Sequence, residues 1–417
     1  RVDGVDGYAN ELEGFVFSRE VFEDRSGMKW SGLYCVDNDD SGFDLPGSEF
    51  DMSFLVAAGH RFSLVVDGDG CVWGWGANGS GQLGNGSEST REAYPGCVLG
   101  MDGGSLLSGM VAVAAGRMHS LALKEDGTVY AWGENDYGQV GDGITWDDDD
   151  YEWSRPVPVQ VVGPGGEGYL TDVAAISAGN GHSLALRSDG SVWAWGKDEG
   201  GRLGNGAGTT WEPIPFPVRV LGINGEGYLS GVKAVAAGEN FSLALLSDST
   251  VCAWGNNGWG QLGDGTRENR LVPVRVPGLS GVIAVDGGGR FSVAACSDGS
   301  IWSWGELAGG TQIYTSPVQV AYLPGVVSVS ADSGCWAALC EDGTVWVMDL
   351  LGYRQVEELS NIVALSVGSE HILAIDKDGI LWAWGWNTYG QLGDGTVSQE
   401  RRLLPGPVID IPPIGIS

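Results

Sequence analysis

One segment recurs seven times in this chain of 417 residues. Its clearest copy, residues 114–143, reads AAGRMHSLALKEDGTVYAWGENDYGQVGDG. Six copies open on a glycine and a degenerate one on Asp332. Every copy has an aspartate ten residues after that position: Asp69, Asp126, Asp189, Asp248, Asp298, Asp342 and Asp378. A fixed offset that recurs seven times identifies a repeat protein, so both fold and function have to be argued from the repeat.

Each copy has the pattern of four short β-strands. Residues 120–125 and 128–132 alternate in polarity and flank an Asp-Gly dipeptide, which is typical of a tight hairpin turn. Residues 111–115 and the segment 156–162, rich in proline and valine, supply the other two strands. No 3.6-residue period of apolar side chains appears in a unit. Each unit is therefore predicted to be a four-stranded antiparallel sheet.

The repeat also predicts how the sheets assemble. Each sheet is too small to bury a face alone, and packing around an axis hides sheet edges. The predicted fold is all-β, a seven-bladed β-propeller of four-stranded antiparallel blades spanning residues 51–417. The terminal segments 53–58 and 404–408 look like unpartnered strands, so we expect them to pair in one blade and close the ring. Residues 1–50 do not match the repeat and are interpreted as an acidic N-terminal extension.

Tryptophan is concentrated in one strand of the unit. Of 18 tryptophans, eleven lie in the strand after the Asp-Gly turn, often two residues apart, as in Trp193 and Trp195. Residues two apart share one face of a strand, so these side chains are predicted to pack between blades.

The chain is strongly acidic. It has 22 lysines and arginines against 54 aspartates and glutamates, a formal net charge of −32. This charge argues against nucleic acid as a partner and disfavours anionic membrane surfaces. It favours a soluble acidic protein, or a protein partner with a basic patch. No run of eighteen apolar residues is present, so no membrane insertion is predicted, and the oligomeric state is left open.

Combined motifs carry a family resemblance. A-x-G-x-x-H-S, then D-G-x-V-x-x-W-G-x-N-x-x-G-Q-L-G-x-G, then P-x-x-V recur in register over roughly residues 51–417. Together they resemble the regulator of chromosome condensation repeat. The resemblance implies a seven-bladed propeller, but a fold does not fix a function.

Members of that family differ in what they do. The name-giving member is a nucleotide exchange factor for a small nuclear GTPase and contacts chromatin through a basic tail, which residues 1–50 lack. The family's plant ultraviolet photoreceptor uses G-W-R-H-T units, whereas residues 116–120 here read GRMHS. The chain is closest in style to a bacterial branch that includes the type II beta-lactamase inhibitor protein. That protein is a secreted propeller that binds an enzyme through aromatic residues on one face.

The histidines do not indicate an active site. Three of the four, His119, His182 and His371, occupy one repeat position where other copies have phenylalanine or cysteine. A position that exchanges histidine for phenylalanine is structural, so we expect hydrogen-bonded core histidines. No metal-binding or nucleophile motif stands in a supporting context. The sequence therefore predicts no catalytic residues, no metal site, no cofactor and no enzyme activity.

Aromatic residues are predicted to gather on one face of the propeller. The loops G-x-x-H-S and G-Q-L-G emerge on the same side, and the insertions 144–155 and 207–215 rise there too. The predicted partner-binding residues are Tyr137, Trp146, Asp148, Tyr151, Trp153, Trp211, Trp259, Trp386 and Tyr389. Two alternatives stay open: the insertion aromatics fold back onto neighbouring blades, and the run 147–150 is either a cation site or a solvated turn.

These observations favour a non-enzymatic protein-binding module, a scaffold or inhibitor-like protein, that uses the aromatic and acidic loops. One alternative is a guanine-nucleotide exchange factor for a small GTPase. A glycan-binding surface protein, with the same aromatic residues as stacking platforms, is another. The expected location is extracellular or at the cell surface, with the cytoplasm as the alternative.

Overall fold

The computed structural model describes residues 15–23, 29–37, 55–144, 152–208, 212–307, 312–349, 351–412 and 414–415. Over this part of the chain the fold is nearly all strand, without an α-helix. Strands β1 (Phe15–Glu23) and β2 (Lys29–Asp37) form a two-stranded antiparallel sheet of their own. The remaining strands form seven four-stranded antiparallel sheets. The predicted seven-bladed β-propeller is therefore confirmed.

The blades follow one another in chain order. Blades 1 and 2 comprise β3 (Val56–Ala58), β4 (Phe62–Val66), β5 (Val72–Ala77), β6 (Arg91–Cys97), β7 (Met110–Ala115), β8 (His119–Lys124), β9 (Val129–Glu134) and β10 (Ser154–Gln160). Blades 3 and 4 comprise β11 (Val173–Ala178), β12 (His182–Arg187), β13 (Val192–Gly196), β14 (Ile214–Arg219), β15 (Val232–Ala237), β16 (Phe241–Leu246), β17 (Val251–Gly255) and β18 (Arg270–Arg275). Blades 5 and 6 comprise β19 (Val282–Gly287), β20 (Phe291–Cys296), β21 (Ser300–Glu306), β22 (Ile313–Tyr322), β23 (Val326–Asp332), β24 (Cys335–Cys340), β25 (Val345–Asp349) and β26 (Gly352–Gln355). Blade 7 comprises β27 (Ile362–Val367), β28 (His371–Asp376), β29 (Leu381–Asn387) and β30 (Ser398–Pro407). Short 3-10 turns lie at Pro164–Gly166, Glu199–Gly201 and Ile223–Gly225.

The expectation that the terminal strands pair with each other was wrong. Strand β30 pairs with β29 of its own blade, and β3 pairs with β4. The proline- and valine-rich strand is the fourth strand of the blade that precedes it, and a strand pairs most readily with its sequence neighbour. Among the described strands, none of blade 7 pairs with one of blade 1.

Side-chain contacts close the ring instead. The Ser366 hydroxyl of blade 7 accepts a hydrogen bond from the Ala58 N–H of blade 1 at 2.9 Å. Ser63 Oγ of blade 1 lies 2.7 Å from His371 Nε2 of blade 7. One continuous hydrophobic cluster includes Leu64 of blade 1 and Leu373 of blade 7. The last joint is thus a packed interface like the others, and no strand crosses it.

The core of the protein lies between blades. A typical cluster combines Leu121 and Val129 of blade 2 with Ile176 and Trp195 of blade 3. The first strand of every blade lines a central channel of about 400 Å³. A blade shares its buried surface with both neighbours, so a blade alone has too little core to be stable.

Antiparallel strands give the propeller two distinct faces. The loop face carries the connections between first and second strands, such as 116–118, and between third and fourth strands, such as 197–208. The turn face carries the Asp-Gly turns, such as 125–128, and the connections between blades, such as 161–172.

Candidate functional site on the loop face

The repeated N-x-x-G-Q-L-G segment folds as a rigid buried loop. In blade 1 the Asn78 side chain accepts the Leu83 N–H at 3.0 Å and donates to the Ser87 carbonyl at 3.0 Å. The Gln82 side chain accepts the Ser80 N–H at 2.9 Å. Equivalent bonds to the fifth residue on are made by Asn135, Asp198, Asn257 and Asn387. Because these polar side chains satisfy hydrogen-bonding groups of the loop's own backbone, the loop is held in one conformation without contacts to a partner.

This loop holds the next blade through one carbonyl, an arrangement we call the carbonyl clasp. The Gln82 carbonyl of blade 1 accepts a hydrogen bond from Ser120 Oγ at 2.7 Å and one from Trp132 Nε1 at 2.8 Å, both of blade 2. The four other clasps are Ser183 and Trp195 on Gln139, Ser242 and Trp254 on Arg202, Ser292 and Trp304 on Gln261, and Ser63 and Trp75 on Gln391. All five tryptophans are fully buried, which confirms that they pack between blades.

Blades 5 and 6 lack the loop motif, and the sequence of the following blades compensates. The serine of the clasp is replaced by Trp336 in blade 6 and by Ile372 in blade 7. In other blades a serine of the second strand lies opposite a tryptophan of the third, as Ser120 lies opposite Trp132. In blade 6 the tryptophan is on the second strand instead, since Trp336 lies opposite Met348. A cavity of about 190 Å³ remains between blades 5 and 6, bordered by Phe291 and Leu307 among others. The loop motif is therefore part of the joint between blades.

The repeated histidines belong to the same joints. His119 Nε2 lies 3.0 Å from the Ser183 hydroxyl of the next blade. That serine donates its only hydrogen to the clasp carbonyl, so His119 donates from Nε2 and leaves Nδ1 without a partner. Burial lowers the pKa of His119 to about 3. A Cβ atom at Gly116 would lie 2.5 Å from the ring and 2.6 Å from the Gly179 carbonyl, so only glycine fits. The prediction of structural core histidines is confirmed.

An arginine on the fourth strand locks the loop in three blades. Arg155 Nη2 lies 2.8 Å from Asp142 Oδ2, and both side chains are nearly buried. Asp264 pairs with Arg270, and Asp394 with Arg402, in the same way. Blades 1 and 3 have asparagine at the aspartate position, and there the residue at the arginine position is Glu92 or Ile214. The two positions change together, which is typical of a structural ion pair.

We expect Asp142→Asn to lower the free energy of unfolding by about 1–2 kcal/mol, because Arg155 loses its buried carboxylate but keeps Glu152 and two carbonyls. The double variant Asp142→Asn with Arg155→Ile reproduces the pair found in blade 3 and should recover part of that loss. Urea unfolding followed by circular dichroism measures both. A double variant less stable than Asp142→Asn would contradict the interpretation.

Three of the predicted binding residues are covered by a cation from the next blade. Lys197 Nζ lies 4.5 Å from the ring centre of Tyr137. Arginine side chains cover the other two: Arg290 lies 4.5 Å from the ring centre of Trp259, and Arg61 lies 5.0 Å from that of Tyr389. The sequence did not reveal these cations, because each of them lies on the blade that follows its aromatic residue. Each of these half-buried aromatic residues therefore stabilises a joint between two blades.

Two predicted residues are more open. Trp153 is 45% exposed and Trp386 is 40% exposed. Both have a fixed backbone, since the Asn135 N–H donates to the Trp153 carbonyl at 2.7 Å and the Trp386 N–H donates to the Glu370 carbonyl at 2.8 Å. The other predicted residues, Trp146, Asp148, Tyr151 and Trp211, and the acidic run 147–150, lie outside the described part of the chain.

Two carboxylates lie beside the central channel near the loop face. Asp286 accepts the Ala331 N–H at 2.8 Å, a bond that serines make at equivalent positions of other blades. Burial raises the pKa of Asp286 to about 7 and that of Asp332 to about 6. Neither carboxylate belongs to a cluster of metal ligands, because the described residues contain no group of three or more His, Cys, Asp or Glu placed to hold a metal ion. No described helix is long and apolar enough to cross a membrane.

The fold and the clasps define a class of protein, the repeat propeller whose blades are joined by a glycine-rich loop. Sequence comparison agrees with this. The RCC1-like domain model matches residues 38–348, and models of the regulator of chromosome condensation (RCC1) repeat match residues 362–391 and 378–414. The chain belongs to the RCC1-like domain family.

Relatives cover the chain to different extents. The human E3 ubiquitin-protein ligase HERC2 is 33% identical over 234 residues, which are 54% of this chain but 4% of that protein. The ultraviolet-B receptor UVR8 of Arabidopsis thaliana is 29% identical over 344 residues, 82% of this chain and 67% of the receptor. Among solved structures, Prp20p of Saccharomyces cerevisiae, studied for its binding to Gsp1p and histones, has a TM-score of 0.66 at 21% identity. That similarity covers 87% of this chain and 88% of the yeast chain, and it supports the fold.

Proposed function

We propose that this protein is a non-enzymatic protein-binding module, a scaffold or inhibitor-like protein, that holds a protein partner on its loop face. The observation that carries the proposal is the exposure of Trp153 and Trp386 on fixed backbone of that face. Tryptophan is among the residues that contribute most to protein interfaces. A folded protein gains little by leaving two such side chains in water.

Rigidity of the loop face supports this proposal. The loops are held by their own asparagine and glutamine side chains, so they lose little conformational entropy when a partner docks. The aromatic residues at the joints add contact area that is already ordered. Tyr389, for example, is held by Arg61, which itself pairs with Glu370 at 2.9 Å.

Charge favours a basic partner. The chain carries a formal net charge of −32, and a protein of opposite sign would be steered towards it at low salt. On the loop face, several bases are already paired with acids or aromatic rings, as in Arg290 with Glu306 and Trp259.

The relatives support a role in binding proteins. The yeast relative was studied for binding to Gsp1p and histones, which are proteins, and another structure shows it bound to Kap60. An exchange activity on a small GTPase is the alternative that the family suggests.

We expect the double variant Trp153→Ala with Trp386→Ala to bind its partner at least about tenfold more weakly than wild type. The partner is obtained by affinity capture on the immobilised wild-type protein and mass spectrometry, and the purified protein is then titrated. Tyr322→Ala is the matched control, since Tyr322 is 60% exposed but lies at the turn-face end of β22. Equal affinity of wild type and the double variant would remove the loop face as the site.

A nucleotide-release assay distinguishes the proposed binding function from exchange activity on a small GTPase. Release of fluorescent mant-GDP from small GTPases should be no faster with this protein than without it. Acceleration that disappears in Trp153→Ala with Trp386→Ala would assign exchange activity to the same face. A glycan array, read with the same variants, tests the carbohydrate alternative.

A further inference from the structure

Three connections between blades share a sequence that the main repeat does not include. Residues 98–109, 161–172 and 220–231 join blades 1 to 2, 2 to 3 and 3 to 4, and we call them the three hairpins. They read VLGMDGGSLLSG, VVGPGGEGYLTD and VLGINGEGYLSG. The equivalent connections 276–281, 323–325 and 356–361 are shorter. The extra length is confined to three adjacent blades of the turn face.

The three hairpins have one geometry. A β-bridge joins Val162 to Tyr169 in the second, and the corresponding bridges are Leu99 to Leu106 and Leu221 to Tyr228. In the second hairpin the Leu170 N–H donates to the Val161 carbonyl at 3.0 Å, and the same bond recurs in the others at 3.0 and 3.1 Å. Leu107, Leu170 and Leu229 are buried and anchor each hairpin. The hairpins are thus fixed parts of the surface.

Each hairpin exposes a large apolar side chain at the same position, and the first also exposes Met101. Leu106 is 48% exposed, Tyr169 is 58% exposed and Tyr228 is 55% exposed. Single exposed apolar residues are ordinary, but an equivalent one on each of three neighbouring blades forms a row. The neighbouring leucine anchors the hairpin, so the exposed residue is not needed for its fold.

The hairpins are also acidic. They contain no lysine, arginine or histidine, and each has an exposed acid: Asp102, Glu167 or Glu226. Backbone hydrogen bonds from Gly104 and Ser105 keep Asp102 ionised, with a pKa of about 2. Of the nearby bases, Arg187 is paired with Asp172 and Lys124 with Asp126. Lys233 donates to the Ser249 hydroxyl, and Arg219 stacks on the Tyr228 ring at 4.6 Å. The row therefore combines apolar contacts with excess negative charge.

We propose that the three hairpins form a second binding surface, on the turn face, for an extended basic segment of a protein partner with apolar side chains at intervals. Repeated equivalent positions suit an extended chain that meets the same chemistry several times. The opposite charge selects lysine and arginine, and Leu106, Tyr169 and Tyr228 take the apolar side chains. This surface is separate from the loop face and does not depend on the function proposed for it.

A displayed library of random twelve-residue peptides tests the proposal. Peptides are selected on the immobilised wild-type protein and depleted on the triple variant Leu106→Ser, Tyr169→Ser, Tyr228→Ser. The selected peptides should be enriched in lysine, arginine and apolar residues, and should bind wild type at least about tenfold more tightly than the triple variant. About half of each substituted side chain is exposed and the buried leucines hold the hairpins, so the triple variant should remain folded, which thermal unfolding checks.

Control variants keep the result specific. Tyr322→Ser, at an exposed position of blade 5, and Trp153→Ala with Trp386→Ala on the loop face should both keep wild-type affinity for the selected peptides. Three outcomes overturn the proposal. They are no enrichment after depletion, enrichment of neutral or acidic peptides, and binding that is lost in the loop-face variant instead.

Discussion

Replacement of Trp132 by alanine should lower the free energy of unfolding by about 3–5 kcal/mol, the usual range for a fully buried tryptophan. Trp132 has no exposed surface and fills the joint between blades 1 and 2. Its loss leaves a cavity and removes one of the two hydrogen bonds to the Gln82 carbonyl, which keeps only that from Ser120. Urea unfolding followed by circular dichroism, with the midpoint and the slope both fitted, measures the effect.

Two further variants separate burial from the hydrogen bond. Trp132→Phe keeps an aromatic ring in the joint but removes the indole N–H, and should cost less than alanine. Trp153→Ala removes a tryptophan that is 45% exposed and should therefore cost clearly less stability than Trp132→Ala. If Trp132→Ala were as stable as Trp153→Ala, the carbonyl clasp would not be what joins the blades.

Replacement of His119 by phenylalanine should make the protein more resistant to acid. The folded protein holds the pKa of His119 at about 3, whereas in the unfolded chain it returns to about 6.5. Below pH 6.5 the unfolded state therefore binds more protons, and this histidine makes the folded state progressively less stable down to pH 3. Phenylalanine occupies the position in three blades, as Phe62, Phe241 and Phe291. At pH 4.5 the advantage of His119→Phe over wild type, relative to pH 7.5, should be about 3 kcal/mol.

Unfolding curves from pH 7.5 down to 4 test this pH dependence. The raised pKa values of Asp286 and Asp332 act in the opposite direction. A carboxyl that is protonated more readily in the folded state stabilises the folded protein at low pH, and this stabilisation is lost as pH rises through 6 and 7. Both proteins share that contribution, so it cancels in their difference. Trp153→Ala, which leaves the histidine in place, should follow the wild-type curve. Parallel curves for wild type and His119→Phe would show that the histidine is not neutral when folded.

Strands and turns could be predicted from the sequence because their determinants are local. Alternating apolar residues and the Asp-Gly dipeptide lie within each unit, and the strands at 110–115, 119–124, 129–134 and 154–160 match the pattern. The grouping of these four strands into one sheet was predicted as well, and blade 2 confirms it. Only the terminal strands were assigned wrongly, because residues 404–408 were taken for a strand without a partner. In the structure they belong to β30, the fourth strand of blade 7.

The candidate site could be predicted in part for a similar reason. Tyr137, Trp259 and Tyr389 were found from their own repeat position, but Lys197 beside Tyr137 comes from the next blade. Contacts between blades depend on the rotation from one sheet to the next, which no motif within a unit encodes. The three hairpins share a sequence that was not singled out before the structure showed that Leu106, Tyr169 and Tyr228 are exposed.

The absence of the loop motif from blades 5 and 6 has a consequence for how the ring comes apart. Thermal fluctuations open a closed ring first where neighbouring segments are least firmly attached. Among the described residues neither border of blade 6 has a carbonyl clasp, and one of them adjoins a cavity. The border with blade 7 is held by a hydrophobic cluster, two hydrogen bonds and the Arg401–Asp349 ion pair at 2.7 Å. We therefore expect the borders of blade 6 to separate before the other joints when the protein is heated, and backbone amides of blade 6 to exchange with solvent faster than those of the clasped blades.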